Sequence, residues 1–143
     1  SAPQIRYPDC YGIDMAKLEG LVAFRAALEL LKERNLYHII EEVYQKSKAQ
    51  EDYMDADVVN YVKEIYAPFT DQEISDKIAE MLTPDNTKAA VKIIYQTVED
   101  LHRACPKNLG DWYFTGDYPT DGGNRVVNRA FMNFYEGKDA RAY

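Results

Sequence analysis

DMAKLEGLVAFRAALELL, residues 14–31, sets Leu18, Leu21, Val22, Phe24, Leu28 and Leu31 at three- and four-residue spacing, the repeat of one face of an α-helix. Asp14 suits the start of that helix, because its carboxylate accepts from amides that lack a partner in the first turn. Downstream, Asn35 interrupts, and Leu36, Ile39, Ile40, Val43 and Tyr44 carry a second helical stripe as far as the polar run 45–52. A third helix opens at Asp55 or Asp57, carries Val58, Val59, Val62, Ile65 and Tyr66, and stops at Pro68, which has no amide proton to give. Thr70 followed by Glu73 is a capping-box pair, and Ile74, Ile78, Met81 and Leu82 follow on one face. Thr83 and Pro84 read as a cap and first turn for a fifth helix, extended by Ala90, Val91, Ile94, Val98 and Leu101 until Pro106. Residues 106–123 are a loop by their glycines and prolines. The last helix is expected over residues 124–136, with Val126, Val127, Ala130, Phe131 and Phe134 inward and Gly137 as its stop. The fold class is therefore mainly α: an irregular bundle of five to six helices, with one extended segment at the N-terminus and an aromatic-rich loop before the last helix.

Upstream of the deciding stretch, SAPQIRY at residues 1–7 is short and mixed, with Pro3 and Pro8 at its edges, and suits a strand that expects neighbours on a sheet. No such neighbours follow. Residues 1–15 read as a terminal strand and turn, and residues 16–143 as a helical C-terminal domain.

A chain of 143 residues with 46% hydrophobic content can bury one substantial core. Its net charge of -7 and pI near 4.8 argue against a polyanion-binding face, so no nucleic-acid partner is expected. Cys10 and Cys105 are far apart and form no C-x-x-C pair, which favours a reducing, cytoplasmic setting. No apolar run is long enough for a membrane span, and no membrane partner is expected. Trp112, Tyr113, Phe114, Tyr118, Phe131, Phe134, Tyr135 and Tyr143 crowd the last part of the chain, so the tail should pack against something.

Candidate chemistry is sparse. His38 and His102 lack a second ligand at helical spacing and read as partly exposed helical histidines. Glu51, Asp52, Asp55 and Asp57 lack the glycine and distal glutamate of a calcium loop and read as a solvated loop. No phosphate cradle or nucleophile elbow is present in the letters. Asp121, Gly122, Gly123 and Asn124 suit either an anion at a helix start or a plain loop-to-helix turn.

Two short motifs carry a resemblance. Ser1-Ala2-Pro3, Ile5-Arg6-Tyr7-Pro8 and Tyr11-Gly12-Ile13-Asp14-Met15, followed by Gly20-Leu21-Val22-Ala23, resemble a junction in the glutamine phosphoribosylpyrophosphate amidotransferases. Phe114-Thr115-Gly116-Asp117-Tyr118-Pro119-Thr120 is similar to a motif near the C-terminus of the cluster-bearing members. Residues 32–105 lie outside the likeness. It implies that residues 1–15 end a phosphoribosyltransferase sheet whose other strands are missing, and that the rest is the C-terminal region of an enzyme of purine biosynthesis. That parent converts glutamine and phosphoribosyl pyrophosphate into phosphoribosylamine, uses magnesium with the pyrophosphate, and is a homo-oligomer. By the same likeness Tyr11 and Gly12 form the strand-to-helix turn, Asp14 caps the helix, and Leu21 lines an ammonia tunnel, a place that a plain core leucine would fill equally well. The partners implied are the remaining domains of the parent, and the chain alone is expected to be inactive, with no catalytic, cofactor or metal residue of its own. Where the cluster-bearing members have cysteine ligands this chain has Asp9, Gly110 and Tyr113, and Cys10 alone cannot hold a cluster, so none is expected. The alternative is a helical interaction or assembly module with no share in catalysis.

Overall fold

In the computed structural model, which describes residues 2–10, 15, 17–107 and 110–142, the first predicted helix is split. Leu18–Gly20 form a single 3-10 turn, Leu21 is extended (φ -89°, ψ 118°), and α1 (Val22–Glu33) begins only after it. Asp14 lies outside the described residues. α1 buries Ala23, Phe24, Ala26, Ala27, Leu28, Leu30 and Leu31, more than one stripe of its surface, as befits a helix surrounded by others. Its alanines let neighbouring backbones approach.

Asn35 takes a left-handed conformation (φ 56°), which asparagine tolerates better than most residues, and turns the chain into α2 (His38–Ala49). The predicted third helix is reduced to a 3-10 turn, Asp55–Asp57, and a single turn, α3 (Lys63–Tyr66). Side chains compete for its backbone. Gln50 bonds both the amide and the carbonyl of Val59 (3.0 and 2.7 Å), Asn124 donates to the Val58 carbonyl (2.9 Å), and Asn60 accepts from the Val62 amide (3.1 Å). Backbone groups engaged this way are withdrawn from a helical ladder.

α4 (Asp71–Leu82) starts on the predicted capping box: the Glu73 amide donates to Thr70 Oγ1 (3.1 Å) and the Thr70 amide to Glu73 Oε2 (2.9 Å). The fifth helix is where expectation and structure part. Residues 83–97 are not helical, and α5 (Val98–Ala104) is capped by Thr97, whose Oγ1 accepts from the Asp100 amide (3.0 Å). The run from Val91 to Tyr95 is rich in β-branched and aromatic side chains that favour an extended backbone, and that preference prevails over the Thr83-Pro84 start signal. The predicted loop contains one helical turn, α6 (Trp112–Thr115), closed by Gly116 at φ 74°. α7 (Asp121–Tyr135) begins a turn earlier than expected and is followed by Gly137 at φ 68°.

Among the described residues there are seven helices, two of them single turns, and no strand, a mainly α architecture preceded by an N-terminal segment without regular secondary structure. α1 packs on α4 and α3, and α2 on α7 and α3. Phe24 joins the two layers, its ring edge-on to Phe131 (6.5 Å) and Phe134 (5.0 Å) of α7. Lys77, buried along its stem, reaches Glu33 and Glu80 and ties α4 to the end of α1. Among the described residues no helix is long and apolar enough to cross a membrane.

Candidate functional site

Residues 2–7, the described part of the expected strand, pair with no strand, and residues 2–10 run instead without regular secondary structure across α4, α3 and α6. Gln4 is buried, and its amide donates to the Asp71 carbonyl (2.8 Å) and to Ser75 Oγ (2.7 Å) at the start of α4. Arg6 donates to Gln4 Oε1 (2.8 Å) and Asp71 Oδ1 (2.6 Å), and its guanidinium lies 5.1 Å from the centre of the Tyr66 ring. The Arg6 and Tyr7 amides both donate to the Tyr113 carbonyl (2.8 and 3.2 Å). Three phenols then hold the segment down. Tyr66 donates to the Arg6 carbonyl (2.6 Å), Tyr118 to the Pro8 carbonyl (2.7 Å) and Tyr113 to Asp9 Oδ1 (2.7 Å).

Two glycines make this approach feasible. A Cβ on Gly116 would stand 2.8 Å from Tyr7 Cζ and 2.8 Å from Asn60 Nδ2, and one on Gly123 would stand 2.4 Å from Tyr118 Cβ. Gly116 also presents its carbonyl to Asn60 Nδ2 (3.0 Å), and Asp117 beside it pairs with Lys63.

Burial pushes the Tyr7, Tyr66 and Tyr118 hydroxyls well above the ordinary tyrosine range, because a phenolate there would lose its water. Their folded values exceed the unfolded one of about 10, so their contribution to stability is complete below that pH and is lost as pH rises beyond it. An alkaline titration should therefore show phenolate absorbance rising cooperatively with loss of far-ultraviolet dichroism above about pH 10. Independent, gradual ionisation with the helices intact would contradict the buried clamp. Burial, and next the Asp9 carboxylate, likewise push the Cys10 thiol up, opposite to the shift that activates a nucleophilic cysteine.

Of the positions singled out by the resemblance, Tyr11, Gly12 and Asp14 lie outside the described residues, although the Asp9 amide donates to the Met15 carbonyl (2.8 Å) across them. Leu21 is buried and lines two clefts, one of about 640 Å³ with Met15, Lys17 and Asp139, the other of about 500 Å³ with Ala2, Ile5, Val22 and Ile94. His38 is exposed at the start of α2, and His102 meets Asp111 (2.7 Å) on the surface. In the acidic loop, Asp55 pairs with Arg125, which also donates to the Glu51 carbonyl (2.8 Å). At the start of α7 the glycines serve contact: Gly123 lies under Tyr118, and Asn124 is bound to Val58. Among the described residues no three His, Cys, Asp or Glu side chains are grouped as metal ligands.

Gln4 and Asn60 carry no signal in the sequence, Tyr66 reads there only as an apolar position of the third helix, and Tyr113 and Tyr118 only as members of the aromatic tail and of the motif positions quoted above. Their partners are more than 50 residues away, beyond the reach of any local pattern. Set against protein-family models, curated proteins and solved structures, the chain matches none.

Proposed function

We propose that the chain is the C-terminal region of an amidophosphoribosyltransferase-like enzyme of purine biosynthesis. The parent hydrolyses glutamine to glutamate and ammonia, and the ammonia displaces pyrophosphate from phosphoribosyl pyrophosphate to give phosphoribosylamine. This region supplies no catalytic group; it buttresses the phosphoribosyl domain and takes part in subunit packing in a cytoplasmic enzyme.

The observation that carries the proposal is the contact of Asp9 with Tyr113 (2.7 Å), 104 residues apart. In the resembled family these two positions belong to cysteines that share one cluster, and co-ligands of a cluster must lie close together. Asp9 and Tyr113 supply a hydrogen bond and no soft ligands, so the residues present do not fit a cluster and none takes part in the proposal. The two quoted motifs meet around that contact, through the Tyr113 carbonyl and the Tyr118 hydroxyl. Leu21 is buried and borders two clefts, which supports its reading as an apolar wall beside an ammonia path.

The test is glutamine-dependent pyrophosphate release from phosphoribosyl pyrophosphate with magnesium, measured on the full-length protein. Activity is expected there and not in the 143-residue chain. In the full-length enzyme Leu21→Trp should leave glutamine hydrolysis and ammonia-dependent synthesis intact while lowering glutamine-dependent synthesis about tenfold or more, an effect of about 1.4 kcal/mol or more on that one route. A full-length protein with neither glutaminase nor synthase activity would sink the proposal and leave the interaction module.

A further inference from the structure

A cleft of about 240 Å³ opens between the C-terminal end of α2, the loop that follows it and one face of α7. Its floor is polar. Ser47, Gln50 and Asn128 line it, although they are buried to 1%, 4% and 3% exposure. Gln50 and Asn128 both donate to the Val59 carbonyl (2.7 Å each), so one hydrogen of each amide is used and the other has no partner among the described residues. Ser47 Oγ donates to Asn128 Oδ1 over a long 3.5 Å, and its lone pairs accept nothing there. Buried polar groups left part-satisfied cost free energy, and whatever completes their bonds is held in return. Charge around the cleft is incomplete in the same way. Arg125 pairs with Asp55, and Glu51 with Lys48 (3.3 Å), so those four cancel. Two opposite charges remain. Among the described residues the exposed Asp52 carboxylate has no hydrogen bond or ion pair, and the exposed Arg129 guanidinium has only a long bond to the Ala142 carbonyl (3.4 Å). Both line the cleft, and they are not paired with each other.

We propose that this cleft binds a small, free α-amino acid with a polar side chain. Arg129 and the spare amide hydrogens of Gln50 and Asn128 are donors for the α-carboxylate, while Asp52 and Ser47 Oγ are acceptors for the α-ammonium. A zwitterion answers both residual charges at once. A simple anion would leave Asp52 unanswered, and a simple cation would leave Arg129. A residue inside a peptide has lost both charges, so the ligand is a free amino acid. The cleft is smaller than the roughly 300–1,000 Å³ of pockets that take drug-sized molecules, which keeps the ligand small. Val58 and Met132 are the only apolar side chains along it, so a short polar side chain fits better than a large apolar one.

The inference stands apart from the proposed activity, and its experiment uses the 143-residue chain alone. Titration of the isotope-labelled chain with L-serine or L-asparagine, followed by nuclear magnetic resonance, should move the side-chain amide signals of Gln50 and Asn128 and saturate. Ethanolamine is serine without its carboxylate and glycerate is serine without its ammonium. Each should bind about tenfold more weakly or worse, the loss expected for one charge-assisted hydrogen bond. Asp52→Asn and Arg129→Gln, both at exposed positions, should each weaken L-serine by about the same factor, with circular dichroism unchanged. Asp52→Asn should not weaken glycerate, which has no ammonium to lose. Equal shifts with ethanolamine and glycerate would mean an unselective charge effect, and variants without effect would put the ligand elsewhere. Silence of both amide signals towards both amino acids would leave the cleft to water. Any of these results overturns the proposal.

Discussion

Phe24→Ala is expected to lower the stability of the chain by about 3–5 kcal/mol, the range for removing a fully buried aromatic ring. Phe24 has no exposure, and it is the residue through which α1 reaches the Phe131 and Phe134 rings of α7. The loss has three parts: transfer of the ring's apolar surface from water, the void that remains, and the edge-to-face contacts. The helix has little side chain to offer the void, since Ala23, Ala26 and Ala27 beside Phe24 are buried and end at Cβ. Urea unfolding of the variant against the parent measures the effect as a drop in midpoint with little change in slope. A loss under about 1 kcal/mol would mean that α7 does not rest on α1 through this ring.

Gly116→Ala is expected to cost about 2–4 kcal/mol, from two separable sources. The first is backbone: at φ 74° an L-residue is strained whatever surrounds it. The second is space. The new Cβ would stand 2.8 Å from the Tyr7 ring and from Asn60 Nδ2 and 3.0 Å from Lys63 Cε, so the N-terminal segment or the Asn60 side chain must shift. Because Tyr7 belongs to that segment, the damage should spread along it. Amides in residues 4–9 should exchange with solvent faster in this variant than in Phe24→Ala at equal global stability. If only the global stability fell, with no local loosening, the clash with Tyr7 would be absent.

Much of the helical frame was legible because it is built from local signals. The Phe24-centred stripe, the Thr70–Glu73 box and the apolar face of α7 each declare themselves within a few turns of chain. The failures have local causes as well. Thr83-Pro84 is a sound start signal in front of residues that prefer an extended backbone, and the real cap, Thr97, comes fourteen residues later. The third helix is lost to Gln50 and Asn124, which engage its backbone from elsewhere, and to Asn60, which does so from within. The clamp was illegible for another reason. Asp9 and Tyr113 drew notice only as the wrong residues at two motif positions, and nothing in either motif states that they touch.

That separation also orders events during synthesis. At ribosomal rates of roughly 5–20 residues per second, Asp9 leaves the exit tunnel about 5–20 s before Tyr113 does. Throughout that wait, Gln4, Tyr7 and Pro8 have only part of the surroundings that bury them, since Tyr118 follows later still. The helices can assemble locally as they emerge, but residues 2–10 wait for residues 113–118 before their hydrogen bonds are complete. Contacts that span some hundred residues close late, so the docking of this segment under Tyr113 and Tyr118 follows the assembly of the helices it crosses rather than guiding it.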